Sequence, residues 1–179
     1  EEYDSPLDNF TVPIPVDPHQ GGKVQSQEGA VSFSDDEGTF LRIDYYALPS
    51  KQMDEMEVIG QEEYLKSTLV NKYVPEVIVA NLPKAQIEYD EYMPRILEGS
   101  YFVLLYMPEG SRISKTGNNG TATKLDAYRG LLAFINGDFL YIVSSQRTFL
   151  DGKTVNFMKQ EAVALKQMIL DFVETIEFN

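Results

Sequence analysis

Asn156–Ile176 reads NFMKQEAVALKQMILDFVETI, and its spacing decides the fold. Met158, Ala162, Leu165, Met168, Ile169, Phe172, Val173 and Ile176 recur at steps of three and four, which sets them along one side of an α-helix. Lys159, Gln160, Lys166, Gln167, Asp171 and Glu174 fall on the other side, with Val163 the one apolar residue among them. A stripe of that breadth has to be buried against a second layer. The strand-rich stretch just before it, Tyr128–Ser145, is the expected cover, and Asn156 is the expected cap.

Outward from the helix, Asn136-Gly137 between two apolar runs predicts a hairpin of Arg129–Ile135 and Asp138–Ser145. Its two-residue turn is expected to be type I′, with positive φ at both positions. Ser100–Met107 is apolar at Phe102, Val103, Leu104 and Leu105 without alternation, which predicts a central strand covered on both faces. Lys84–Met93 reads as the strand before it. Gln61–Tyr73 reads as a helix, with Leu65, Leu69 and Tyr73 on one face and Pro75 ending it. Pro49–Gly60 is a connector with room for a helical turn.

Ala30–Ser34 and Phe40–Leu48 read as strands joined by the turn Asp35-Asp36-Glu37-Gly38. In the second strand Phe40, Arg42, Asp44 and Tyr46 face one way, and Leu41, Ile43, Tyr45 and Ala47 the other. Asp17–Gly29 is polar loop. Phe10–Val16 carries prolines at 13 and 15, which confine it to an edge strand or arm. Residues 1–8 are acidic and expected to fray as a flexible segment, and 9–179 form one domain. The order predicts an α+β class: an antiparallel β-sheet of about six to seven strands flanked by helices.

The layout resembles the Mog1/PsbP-like fold family. The matching stretches are Phe10-Thr11-Val12-Pro13-Ile14-Pro15, Val31-Ser32-Phe33-Ser34-Asp35 and Ile169–Phe178. The resemblance implies an α/β/α sandwich with an antiparallel sheet and a non-enzymatic, partner-binding role. Its members include a nuclear transport factor that binds a small GTPase and an extrinsic subunit of photosystem II.

Composition narrows the chemistry. The 179 residues carry a net charge of -13, which repels polyanions at long range, so no nucleic acid is expected as partner. With no Cys and one His, neither a thiolate site nor a multi-histidine zinc site is available within the chain. No metal or cofactor is expected. No apolar run approaches the length of a membrane span. The chain starts at Glu1, so a removed signal or lipoprotein leader is expected, with an extracytoplasmic location and a membrane tether through the missing segment.

The candidate catalytic groups are sparse. His19 lies near Asp17 and Glu28 on a polar loop. Glu88 and Asp90 are expected to share a strand face about 7 Å apart, close enough for a carboxylate pair, with Glu91 beside them. Ser144 and Ser145 lack the G-x-S-x-G context, and Gly117–Gly120 lacks the Lys of a phosphate loop. Asn9-Phe10-Thr11 and Asn119-Gly120-Thr121 match the N-glycosylation triplet.

The strongest partner candidate is the polar loop 108–127. Between Pro108 and Gly130, Arg112, Lys115, Lys124 and Arg129 are set against only Glu109 and Asp126, with Tyr128 at the loop's end. A long loop in a compact domain is functional, an extended hairpin, or disordered. The sequence thus favours a non-enzymatic binding or accessory module that contacts a protein or small ligand through Arg112, Lys115, Lys124, Tyr128 and Arg129. A carboxylate-dependent hydrolase built on Glu88–Glu91 and a structural subunit of an assembly are the alternatives.

Overall fold

The computed structural model describes residues 1–111, 114–116, 120, 122–149 and 158–179. Strands β1 (Glu2–Asp4), β2 (Phe10–Pro13), β3 (Lys23–Gln27), β4 (Ala30–Ser34) and β5 (Phe40–Ala47) lead into helices α1 (Ser50–Ile59) and α2 (Gln61–Lys66). A π-helical segment, Ser67–Val79, continues α2. Then come β6 (Gln86–Met93), β7 (Ser100–Met107), the short pair β8 (Ser114–Thr116) and β9 (Ala122–Lys124), β10 (Ala127–Asn136), β11 (Phe139–Thr148), α3 (Met158–Glu174) and β12 (Glu177–Phe178).

The main sheet has seven strands in the order β3-β4-β5-β11-β10-β7-β6. All its pairs are antiparallel. Each face buries its own core. On one side Phe33, Leu41, Ile43, Phe102, Leu104, Leu132 and Val143 pack against Leu165, Ile169, Phe172 and Val173 of α3. On the other, Val103, Leu105, Leu131, Ala133 and Ile142 pack against Tyr64, Leu65, Leu69, Tyr73 and Ile78 of the second helical layer. This is the α+β sandwich that the stripe in α3 demanded, and it explains why Ser100–Met107 is apolar on both faces. The alternation in β5 also holds: Leu41, Ile43 and Tyr45 join the α3-side core, while Arg42 and Asp44 face the other layer. On α3 itself, Met168 is exposed although it falls on the apolar stripe, and Glu161 is buried and ion-paired with Arg147 at 3.0 Å.

A second, three-stranded sheet, β1-β2-β12, sits beside α3. It is anchored by aromatic edges: Phe10 meets Tyr45 at 5.3 Å and Phe178 meets Tyr141 at 4.9 Å between ring centroids. Here β2 is the middle strand, not an edge. Its prolines permit this because Pro13 is the last paired residue and Pro15 lies beyond the strand. Residues 2–4, expected to fray, are paired as β1.

Three further differences have local causes. The hairpin turn is Gly137-Asp138, because Asn136 is still paired, with Phe139. Only the first turn position has positive φ, Gly137 at 59°, the pattern of a type II′ rather than a type I′ turn. Pro75 does not end its helix. The coil runs on to Val79 with five-residue hydrogen bonds, as from the Ala80 N–H to the Pro75 carbonyl at 3.1 Å. In an α-helix the proline ring would strike the carbonyl four residues back, and the wider π turn relieves that contact. Finally, β3 lies within what reads as loop, since its five residues are exposed on both faces and carry no hydrophobic period. The expected cap Asn156 lies outside the described residues.

Candidate functional site

The second helical layer covers the sheet unevenly and leaves a groove of about 530 Å³ where β5 and β11 meet α1 and the π-helix. Its floor is the end of β5, Tyr46-Ala47-Leu48, with Leu140 and Ile142 of β11. Gln52, Glu55 and Ile59 of α1 form one wall, and Lys72, Tyr73, Glu76 and Val77 of the π-helix form the other. Three large apolar side chains stay partly in solvent there: Tyr46 at 42%, Ile59 at 42% and Val77 at 37%. Exposed apolar surface gathered in a concave site marks a place of contact more than scattered exposure does.

A buried polar network beside the groove ties the π-helix to β5. Asp44, 3% exposed, receives the Arg42 guanidinium in a two-pronged bond, Nε to Oδ2 at 2.9 Å and Nη2 to Oδ1 at 3.0 Å. The Tyr73 hydroxyl, reaching down from the π-helix, donates to Oδ2 of the same carboxylate at 2.8 Å. The bond to Asp44 raises the Arg42 pKa above its ordinary value. Burial first, and Asp44 second, push the Tyr46 phenol up to about 12, so it keeps its proton well above neutral pH. Across the groove the Tyr64 hydroxyl donates to Gln52 Oε1 at 3.1 Å, tying α2 to α1. The charged side chains that line the groove are Glu55, Glu76 and Lys72, two negative against one positive.

Of the loop candidates, Arg129 reaches the groove's side of the sheet, where it acts electrostatically on Tyr73 of the groove wall. The loop itself springs from beside Thr148, about 20 Å along β11 from Ile142 of the groove floor at strand rise. Part of the loop is a hairpin, with Ser114 paired to Lys124 and Thr116 to Ala122. Its base is pinned at Asp126, which accepts from the Tyr106 hydroxyl at 2.9 Å and the Glu109 N–H at 2.8 Å. Lys124 is exposed. Tyr128 is buried, edge-on to Tyr106 and to Phe149. Arg129 is half-buried, its guanidinium 4.9 Å from the Phe40 ring and its Nη2 donating to Ser144 Oγ at 3.1 Å. Arg112 and the side chain of Lys115 lie outside the described residues.

The carboxylates of β6 do not gather. A bulge between Ile87 and Tyr89 breaks the alternation, so Glu88 acts electrostatically on Tyr106 and Tyr128 on the α3 side of the sheet. Asp90 receives the Tyr101 hydroxyl on the opposite side. The expected sharing of a face by Glu88 and Asp90 is thus undone by the bulge. Glu91 receives Lys166 of α3 and the Tyr89 hydroxyl, the latter at 2.8 Å. Burial acts to raise the Glu91 pKa, but the hydrogen bonds from Lys166 and Tyr89 outweigh it and leave it below the ordinary value. Glu91 therefore stabilises the fold above its unfolded pKa near 4.5, and that contribution disappears as pH falls through the lower folded value. In urea titrations from pH 7 to pH 2, wild type is expected to exceed Glu91→Gln in stability at neutral pH and to converge with it in acid. A constant gap across that range would contradict this assignment.

His19 is exposed in a short 3-10 turn, its N–H donating to Asp17 Oδ1 at 2.8 Å. Among the described residues no cluster of three or more His, Asp or Glu is placed to hold a metal ion. Asn9 of the first glycosylation triplet is buried, its Nδ2 donating to the Tyr141 hydroxyl at 3.0 Å, so no glycan fits there in the folded chain. Asn119 lies outside the described residues. No described helix is long and apolar enough to cross a membrane.

A seven-stranded antiparallel sheet between α3 and a second helical layer, with N- and C-terminal strands closing a small sheet beside α3, is the Mog1/PsbP-like fold, and the chain has that fold. The Ran-binding protein Mog1p of Saccharomyces cerevisiae is similar over 99% of this chain and 94% of its own, at 9% identity and a TM-score of 0.56. A point mutant of Mog1 is similar over 99% of this chain and 95% of its own, at 8% identity and a TM-score of 0.55. A Bacteroides thetaiotaomicron protein aligns over 99% of this chain but 48% of its own, at 14% identity and a TM-score of 0.42. No protein-family model and no curated protein matches the sequence.

Proposed function

We propose that the chain is a non-enzymatic protein-binding module whose contact site is the groove beneath the π-helix. The observation that carries this reading is the placement of Tyr46, Ile59 and Val77, all partly exposed, around one concavity that Glu55 and Glu76 line together with Lys72. The partner this chemistry fits is a protein segment that presents an apolar side chain flanked by Lys or Arg. The apolar group fills the floor, and the flanking cations meet Glu55 and Glu76. The neutral Tyr46 hydroxyl adds a donor to the partner's backbone. The likeness to Mog1p, named for binding Ran, supports a protein rather than a small molecule as the partner.

The test is a selection of displayed random peptides on the immobilised chain, followed by calorimetry against wild type and a Tyr46→Ala/Ile59→Ser/Val77→Ser variant. Selected peptides are expected to carry Lys or Arg around an apolar residue and to lose at least about tenfold in affinity for the variant, roughly 1.4 kcal/mol. Acidic consensus peptides, or affinities unchanged by the three substitutions, would overturn the reading.

A further inference from the structure

Among the described residues the main sheet has two open edges, β3 and β6, and they are built differently. β6 carries the bulge at Ile87/Tyr89, three carboxylates in Glu88, Asp90 and Glu91, and Pro94 just past its end. Bulges, edge charges and prolines are the devices that keep an edge from pairing. β3 has neither the bulge nor the proline. It reads KVQSQ, keeps unbroken register with β4, contains no Pro and has a single charge, at Lys23.

The hydrogen-bond parity of β3 follows from its neighbour. The Tyr45 N–H donates to the Gly29 carbonyl at 3.0 Å and the Asp35 N–H to the Thr39 carbonyl at 3.3 Å, so the odd-numbered backbone groups around β4 turn toward β5. Ala30, Ser32 and Ser34 therefore turn toward β3, where they pair with Gln27, Gln25 and Lys23. Val24 and Ser26 are left with both their N–H and C=O directed away from the sheet. These two residues are disposed symmetrically about Gln25.

We propose that β3 is a self-association edge, at which two copies of this chain pair antiparallel about a two-fold axis through Gln25. In that register Val24 of each copy exchanges both hydrogen bonds with Ser26 of the other, and the two seven-stranded sheets run on as one. Lys23 lies opposite Gln27, and Gln25 opposite its own counterpart, so no like charges meet within the strand. Just beyond it Gly22 lies opposite Glu28 and Gly21 opposite Gly29, so side-chain bulk does not obstruct the approach. This match of the edge to itself argues for a second copy over a foreign peptide. The contact is small, so association is weak. Because each copy carries a net charge of -13, salt strengthens it.

Sedimentation equilibrium at protein concentrations up to about 1 mM, in low and high salt, tests the proposal. Wild type is expected to approach the mass of two copies, more completely in high salt. Val24→Pro removes an outward N–H that the single chain does not use, and is expected to weaken association at least tenfold. Gln25→Lys and Gln25→Glu put like charges on the axis: each alone is expected to stay monomeric, and their equimolar mixture to associate. This pair keeps the test independent of how well the proline is tolerated. A wild type that stays monomeric in high salt, or a dimer indifferent to the Gln25 charges, would overturn the proposal.

Discussion

Asp44→Ala is expected to destabilise the fold by about 3–5 kcal/mol in urea denaturation at neutral pH. The substitution removes one carboxylate but strands two donors: a guanidinium whose side chain is 22% exposed and the buried hydroxyl of Tyr73. Most of the loss is the cost of leaving those groups without an acceptor away from water. Tyr73→Phe removes a donor and strands nothing charged, because Arg42 still satisfies Asp44 through both prongs. Its expected cost is about 1–2 kcal/mol. The difference between the two variants separates the ion pair from the tether that draws the π-helix onto the sheet. Equal losses, or a loss below about 1 kcal/mol for Asp44→Ala, would show that the network does not tie the π-helix to β5.

Leu165→Ala is the second large effect, with an expected loss of about 2–5 kcal/mol. Leu165 is fully buried at the centre of α3. There α3 approaches β10 so closely that a Cβ on Gly130 would lie 3.1 Å from the Leu165 Cβ and 3.2 Å from the Ile169 Cδ1. The backbones cannot collapse further to fill the space, so the void stays and the loss lies in the upper half of the range. The same substitution at Val163, 65% exposed on the opposite side of the helix, is expected to change stability by less than about 0.5 kcal/mol. Comparable losses at the two positions would mean that α3 does not lie on the sheet as described.

What the sequence makes legible follows the reach of each signal. The stripe of α3, the alternation of β5 and the unbroken apolar run of β7 are local periods with strong burial behind them, and each predicts its element. Signals that compete with a second local preference mislead by small amounts. Asn136-Gly137 marks the hairpin, but the ladder extends one pair further and moves the turn to Gly137-Asp138. Pro75 marks a helix end in α geometry, and a π register accommodates it instead. β3 escapes because KVQSQ is solvated on both faces, so no hydrophobic period exists to be read. The groove escapes for another reason. Its residues come from three stretches, Tyr46–Leu48, Gln52–Ile59 and Lys72–Val77, none of which carries a motif alone. One hint stood in β5: Arg42 and Asp44 alternate with apolar residues on a strand that must be buried, and buried charges of opposite sign two residues apart imply a paired network beneath a site.

The most direct test of the binding account is an amide chemical-shift titration of the chain with a selected Lys/Arg-flanked apolar peptide. Shifts are predicted in Tyr46–Leu48, in α1 and in the π-helix around Lys72–Val77, with the far end of the sheet near Glu109, Lys124 and Thr148 unmoved. Shifts concentrated at that far end, or along α3, would contradict it.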